Sequence, residues 1–162
     1  MSSTINRYES YPTNPRIKIA ALWASMLFVF AYVDLFSMYR EDIRADLEAG
    51  KVFTFTVGQG FLLGATGYIL LPSLLVFLSL VLPAQVARMT NIVVAALYAL
   101  TIAGGAIGEW NYYILGSVAE VGLLVAVVYY AWTWPKATTT LATPPAPRET
   151  DTRVQSASKV RR

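Results

Sequence analysis

YYILGSVAEVGLLVAVVYYAWTW, the stretch from Tyr112 to Trp134, is an apolar run with one charged residue, Glu120. A helix needs about 20 mostly apolar residues to cross the hydrocarbon core of a bilayer, and this run is long enough. A carboxylate at that depth is energetically expensive, so it indicates a functional site when it faces a protein interior or a water-filled cavity. The run therefore predicts a membrane-spanning helix that carries a candidate functional residue.

Three more apolar runs precede this one, so that the predicted spans are about 17–39, 54–82, 89–108 and 112–134. The first exceeds the roughly 7–15 apolar residues of a signal peptide, and nothing like a cleavage site follows it, so we expect an uncleaved span. The short links make neighbouring helices antiparallel. The predicted fold is therefore all-α, an integral membrane four-helix bundle.

Two local features refine this bundle. Residues 40–50 have a charged helical pattern, which predicts a short helix on the membrane surface. Pro72 lies within the second span, and a proline removes one backbone hydrogen bond of its helix. We expect a bend near Tyr68, with the lost bond replaced by another group.

Composition excludes most kinds of chemistry. The chain is 56% hydrophobic and only 14% charged, with a mean hydropathy of +0.48, whereas soluble domains have about 25% charged residues. Cysteine and histidine are absent, which excludes a disulfide, a thiol nucleophile, a Ser-His-Asp triad and a histidine-ligated metal or haem. The acidic residues lack the spacing of a calcium loop, so we predict no metal and no cofactor.

The two ends of the chain are polar, and their charges predict an orientation. Residues 1–16 contain breakers and predict a flexible tail, and residues 135–162 have too little apolar content to fold and predict a disordered tail. Lys and Arg near span ends favour the cytoplasmic side. Three of them lie on one side, at Arg40, Arg44 and Lys51. Six lie on the side of both termini: Arg7, Arg16, Lys18, Arg88, Lys136 and Arg148. Both termini are therefore predicted to be cytoplasmic.

Each predicted helix carries a polar stripe at helical spacing. The stripes are Asp34 and Ser37; Thr56, Gln59, Thr66 and Ser73; Asn91, Tyr98, Thr101 and Gly105; and Tyr113, Gly116, Ser117 and Glu120. At about 1.5 Å per residue, the carboxylates lie in the outer half of the membrane. We predict a polar pocket that opens outward and is lined by Asp34, Gln59, Tyr98, Tyr113 and Glu120.

A structural role remains an alternative for these residues. An intramembrane carboxylate can be protonated and donate a hydrogen bond that fixes helix packing, and measured interhelical hydrogen bonds contribute about 0.6 kcal/mol on average. The pairs Gly60 with Gly64 and Gly104 with Gly108 have the GxxxG spacing that permits close helix contact. Such contacts could lie within one bundle or between two copies.

Three motifs resemble a family of small bacterial four-span membrane proteins of unknown function. They are YVDLFSMY (Tyr32 to Tyr39), GQGFLLGA (Gly58 to Ala65) and YYAWTW (Tyr129 to Trp134). The resemblance covers Arg16 to about Trp134. In helix count and size the arrangement is more distantly similar to DoxX-like membrane proteins. The resemblance implies the fold and brings no catalytic residue with it.

These observations predict a multi-pass protein of a bacterial cytoplasmic membrane that is not an enzyme. We expect an accessory or small-ligand-binding bundle. One alternative is a proton- or cation-coupled transporter or channel subunit that uses Glu120 and Asp34. Another is a membrane enzyme that handles a quinone or lipid. The expected partners are the bilayer, a second copy or another membrane protein, and a small hydrophobic or cationic ligand. Nucleic acid is not expected, because the basic residues lack interleaved aromatic residues.

Overall fold

The structure is a computed structural model that describes residues 13–52 and 55–135. Most of the two predicted tails lies outside these ranges. So do Arg7, Lys136 and Arg148, on which the predicted orientation partly depends.

The described chain forms five helices and one small hairpin. In chain order they are α1 (Pro15–Ser37), α2 (Glu41–Glu48), β1 (Lys51–Val52), β2 (Phe55–Thr56), α3 (Gln59–Val81), α4 (Ala84–Gly105) and α5 (Asn111–Trp132). The helices α1, α3, α4 and α5 are each long and apolar enough to cross a membrane. The chain is therefore a multi-pass helical membrane protein, and the predicted helical bundle is confirmed.

Two helix starts differ from the predicted spans. The second span was predicted from about residue 54, but α3 begins at Gln59, because β1 and β2 pair antiparallel just before it, with Val52 opposite Phe55. The third span was predicted from residue 89, but α4 begins at Ala84. The polar first turns of α4 are helical because Pro83 has extended backbone at the N-cap and helix hydrogen bonding does not depend on apolar side chains.

The core lies where α1 packs between α5 and α3, with α4 packed mainly against α5. Its centre consists of fully buried apolar side chains, among them Trp23 and Met26 of α1, Leu75 of α3 and Leu124 and Val127 of α5. The outward faces of the same helices expose large apolar residues. Apolar side chains thus lie both in the core and on the outer faces. A bilayer permits this distribution, because lipid tails are as apolar as the core.

The antiparallel order gives the bundle two distinct ends. At one end, here called the Arg16 end, Nη1 of Arg16 donates to the carbonyl oxygens of Leu80 and Leu82, at 2.9 and 2.6 Å, and so joins the start of α1 to the end of α3. At the other, here called the Arg40 end, the hydroxyls of Ser37 and Tyr112 lie 2.9 Å apart and join the end of α1 to the start of α5.

A close contact between α1 and α5 depends on Gly116. A Cβ added at Gly116 would overlap Cγ2 of Val33, so α1 and α5 can approach this closely only because α5 has a glycine there. The two GxxxG motifs have no such role within this chain. A Cβ added at Gly64 or Gly104, for example, would have no neighbouring atom within 4 Å. The spacing was present, but those glycines lie on outward faces.

This contact makes a specific prediction about stability. We expect Gly116→Ala to lower the free energy of unfolding by ~1–3 kcal/mol, because an added methyl group overpacks the α1–α5 contact. Val33→Ala should restore much of the loss when the two changes are combined. The matched control is Gly64→Ala, which fills open space and should leave stability equal or higher, since alanine favours the helix.

Unfolding of the purified protein in mixed micelles, followed by circular dichroism, measures both effects. Equal losses for Gly116→Ala and Gly64→Ala would show that the close contact is not the cause.

Candidate functional site

The inward face of α5 contains buried polar residues. Gly116, Ser117 and Glu120 are all buried, and Glu120 is only 3% exposed although it is a carboxylate. The predicted polar stripe of this helix therefore does point into the protein. Gly116 lies against Val33 of α1. Glu120 follows Gly116 by four residues and therefore lies about one helical turn from this contact.

Asp34 approaches Glu120 from α1. The two carboxylates are close enough for their charges to repel each other, and Tyr113 lies within electrostatic range of both. The hydroxyl of Tyr113 extends toward α4, 3.9 Å from the position that a Cβ would take at Gly105. Three of the five predicted site residues, Asp34, Tyr113 and Glu120, are therefore brought together.

A cavity of about 250 Å³ opens at the Arg40 end beside these residues. Asp34, Ser37 and Tyr113 form its polar side. The remaining lining residues come from the segments after α1 and from the loop before α5. They are Met38, Arg40, Ile43, Leu47, Val52 and Glu109. The cavity lining thus combines the unbonded carboxylate of Asp34 and the Arg40–Glu109 ion pair with aliphatic side chains, while Glu120 is buried nearby and does not line the cavity. Small-ligand sites commonly combine these two features.

The polar groups of the site have no partner within the described chain. In residues 13–52 and 55–135 no hydrogen bond joins the side chains of Asp34, Tyr113 or Glu120 to another residue. The one enclosed and unbonded side-chain nitrogen or oxygen in the same ranges is Nε of Arg88, at the far end. The oxygens of Tyr113 and Glu120 therefore retain contact with open space. Buried polar groups are normally paired with protein or water, so these oxygens are free to accept hydrogen bonds from an occupant.

Tyr98 is buried in the bundle, but its hydroxyl is already used. It donates to the backbone oxygen of Tyr68 at 2.5 Å. That oxygen lies four residues before Pro72, whose missing N–H leaves it without its helical donor. The rings of Tyr68 and Tyr98 also stack, with centroids 4.5 Å apart. The hydroxyl of Tyr98 therefore replaces the backbone hydrogen bond that Pro72 removes from α3.

Gln59 lies away from the cavity. It is exposed at the first turn of α3, and the cavity lining does not include it. The prediction that α3 turns its polar stripe inward is wrong, because Thr66 and Ser73 are exposed. Each donates to the carbonyl oxygen four residues earlier, on Leu62 and Ile69, at 2.8 Å. A hydroxyl satisfied in this way can face lipid.

The comparison with known proteins adds a family. A family model described as a family of unknown function, DUF6326, matches residues 8–142. The chain belongs to the DUF6326 family. No curated protein and no solved structure matches it.

Arg40, which lines the cavity of this DUF6326 protein, is the centre of an ion network. Its Nε and Nη2 donate to the two carboxylate oxygens of Asp42 at 3.1 and 2.6 Å, and its Nη1 donates to Glu109 at 2.5 Å. The guanidinium also lies over the ring of Trp110, 4.6 Å from its centroid. Arg40 thus joins the start of α2 to the loop between α4 and α5. This pairing could not be predicted from a local pattern, because Arg40 and Glu109 are far apart in the chain.

A second polar cluster near the Arg16 end was also missed. The indole nitrogen of Trp23 donates to Oδ1 of Asn91 at 2.6 Å, and the hydroxyl of Ser79 reaches the same oxygen at 3.1 Å. The amide nitrogen of Asn91 donates to the carbonyl oxygen of Ala87 at 2.7 Å. This cluster is buried and its polar groups are hydrogen-bonded to one another. It therefore holds α1, α3 and α4 together and offers no unbonded group to a ligand.

The donor set does not resemble a metal centre. In the part of the chain that the structure describes, no group of three or more His, Cys, Asp or Glu side chains is arranged to hold a metal ion. Calcium takes six to eight oxygen ligands, whereas Asp34 and Glu120 offer two carboxylates.

The repair of α3 by Tyr98 can be tested with a double-mutant cycle. Tyr98→Phe should lower the free energy of unfolding by ~1 kcal/mol, because the carbonyl oxygen of Tyr68 loses its donor. In a Pro72→Ala background that oxygen regains a backbone N–H, so the same change should have little effect. The measurement is denaturant unfolding of all four proteins. Equal losses in both backgrounds would mean that the hydroxyl of Tyr98 does not serve the proline break.

The ion network predicts a pH dependence for α2. The guanidinium of Arg40 lowers the pKa of Asp42 below its usual value, which is about 3.9. Because the folded state depresses this pKa, the bond contributes fully above about pH 4 and is lost as the pH falls through the lower folded value. Asp42→Asn should therefore speed hydrogen exchange in α2 at pH 6, and this difference from the natural protein should shrink below about pH 4.

The control for this experiment is Glu41→Gln. Glu41 shares the first turn of α2, and hence the helix dipole, with Asp42, but it has no bond to Arg40 in the described structure. If both variants change exchange equally at pH 6, the dipole and not the ion pair stabilises α2.

Proposed function

We propose that this protein is a membrane-embedded binding or accessory protein without chemistry of its own, and that its cavity takes a small organic cation. The observation that carries this proposal is the pair of unbonded side chains, Asp34 and Tyr113, that line the cavity beside aliphatic residues, with the buried carboxylate of Glu120 within electrostatic range of Asp34. A protonated amine supplies the N–H donors and the positive charge that those side chains lack. Its hydrocarbon part would lie against Ile43 and Leu47.

The charge around the cavity supports a cation over an anion. At the Arg40 end the described residues include three cations, Arg40, Arg44 and Lys51. Seven carboxylates accompany them, namely Asp34, Glu41, Asp42, Asp46, Glu48, Glu109 and Glu120. Arg40, the cation nearest the cavity, is held by two of these carboxylates. A cleft with an excess of one sign of charge concentrates ligands of the opposite sign.

The proposed setting is the cytoplasmic membrane of a bacterium, with the Arg40 end outside. This orientation depends on the six Lys and Arg residues predicted on the other side against three at the Arg40 end. The cavity would then receive its ligand from the extracytoplasmic space or from the outer leaflet. A second copy or another membrane protein would be the accessory partner.

A cysteine-accessibility experiment tests the proposal, since the chain has no natural cysteine. The Ile43→Cys variant places a thiol on the cavity wall, and an impermeant thiosulfonate reagent added to whole cells reports its exposure. We expect n-hexylamine, which is protonated at pH 7, to slow labelling, and we expect n-hexanol of equal chain length to have no effect. Asp34→Asn should weaken protection by about ten-fold or more, because a charge-assisted hydrogen bond contributes ~1.5–3 kcal/mol.

Two control variants define the outcome. Arg44→Cys, exposed on α2, should be labelled with or without amine, and Leu100→Cys, 71% exposed on the apolar face of α4, should not be labelled by the impermeant reagent. Protection by hexanol equal to that by hexylamine, or protection that survives Asp34→Asn, would contradict binding of a cation at this site.

Transport is a second candidate, and one observation favours it. Asp34 and Glu120 come from two different helices and interact through their charges, as a pair that exchanges one proton or cation would. Flux of protons or hexylamine into liposomes that contain the protein, lost in Glu120→Gln with folding preserved, would favour transport over binding. Absence of flux, together with the protection described above, would favour binding alone.

A further inference from the structure

The cations at the Arg16 end differ from Arg40 in their surroundings. Lys18 lies over the ring of Tyr130 at 5.0 Å, and Arg88 lies over the ring of Trp132 at 5.7 Å. Arg16 lies over Trp134 at 5.3 Å while it also binds backbone oxygens. All three cations are therefore positioned by aromatic rings from the last turn of α5 and the residues just after it.

None of these cations has a carboxylate nearby in the described structure. Residues 13–33, 57–108 and 121–135 contain no Asp or Glu. Glu120 is the closest carboxylate along α5, about 15 Å from Tyr130 at ~1.5 Å per residue. That distance exceeds the screening length of ~8 Å at physiological salt. Among the described residues, the three positive charges at this end of the bundle thus have no nearby carboxylate, whereas Arg40 is paired with two.

Among the three cations, Arg88 is the one with a buried and unbonded nitrogen in the described part of the chain. Its Nε is enclosed and has no hydrogen-bond partner within the described residues. One edge of the guanidinium is therefore already desolvated. Trp132 beside it is 66% exposed, so the aromatic ring lies at the surface, as belt residues do at the interface of a bilayer.

From this arrangement we infer that the Arg16 end is a binding surface for the phosphate of anionic phospholipid headgroups, centred on Arg88 and Trp132 and extended by Lys18 and Arg16. Guanidinium groups bind phosphate through two parallel hydrogen bonds. Basic residues beside a membrane surface each contribute ~1 kcal/mol to the attraction of anionic lipid. The exposed indole of Trp132 would lie among the headgroups and hold the guanidinium at their level. This surface is at the opposite end from the cavity and does not depend on the function proposed for it.

The experiment uses the full chain in nanodiscs made of equal parts phosphatidylglycerol and phosphatidylcholine with identical acyl chains. Mass spectrometry of the protein released from the discs counts the lipids that remain bound. We expect phosphatidylglycerol to be retained over phosphatidylcholine. Arg88→Gln should lower that preference about five-fold, the equivalent of the ~1 kcal/mol that one cation contributes, and Arg44→Gln, at the Arg40 end, should leave it unchanged.

Two further variants separate charge from structure. Arg88→Lys retains the charge and should retain part of the preference. Trp132→Leu also retains the charge but removes the ring that positions Arg88, so it should lower the preference as well. Helix content, measured by circular dichroism, verifies that each variant is folded.

Three results would overturn the inference: equal losses for Arg88→Gln and Arg44→Gln, equal retention of the two lipids by the natural protein, or displacement of phosphatidylglycerol by millimolar inorganic phosphate, which would indicate a site for the free ion.

Discussion

The contact between α1 and α5 at Gly116 and Val33 is the constraint on which the rest of the bundle depends. A side chain at Gly116 would overlap Val33, so the glycine decides how near the two helices come. That distance brings Asp34 of α1 and Glu120 of α5 within electrostatic range, and it places Tyr113 beside both. Two helices held slightly further apart would leave the carboxylates in separate surroundings. The site therefore follows from a packing rule as much as from its charged residues.

A second constraint comes from Pro72. A proline in a helix surrounded by lipid leaves a carbonyl oxygen that water cannot satisfy. Here the hydroxyl of Tyr98 satisfies it, and the stacked ring of Tyr68 fills the space beside the break. Close to the Arg16 end, Asn91 bonds in the same complete way to Trp23 and Ser79. These interior polar groups thus stabilise the bundle, whereas the buried carboxylate of Glu120 and the half-buried hydroxyl of Tyr113 have no hydrogen bond to the described residues.

The sequence was sufficient to predict the four long apolar helices and the inward polar face of α5, because apolar length and helical spacing are local properties. It failed for α3, where Thr66 and Ser73 bond their own backbone and have no need to face inward. For the GxxxG glycines the spacing left open whether they meet a helix of the same bundle or of a second copy, and within this chain they meet none. Gly116 was placed on the inward stripe of the fourth span, but its close contact with Val33 was not predicted. The bond from Arg40 to Glu109 could not be predicted from local sequence, because it depends on which helix ends the fold brings together.

The two ends of the molecule then differ in charge. Carboxylates are in excess at the Arg40 end, whereas at the Arg16 end cations lie on aromatic rings with no carboxylate nearby among the described residues. The central claim is that Asp34, Tyr113 and Glu120 are left unbonded for a cationic occupant. The most direct measurement is a crystal structure of the full chain soaked with 6-bromohexylamine, in which bromine is located by its anomalous scattering. The account predicts a bromine peak against Ile43 and Leu47, with the amine density at Asp34. A bromine peak absent from this cavity, or carboxylates hydrogen-bonded to protein groups in a filled and dry interior, would contradict it.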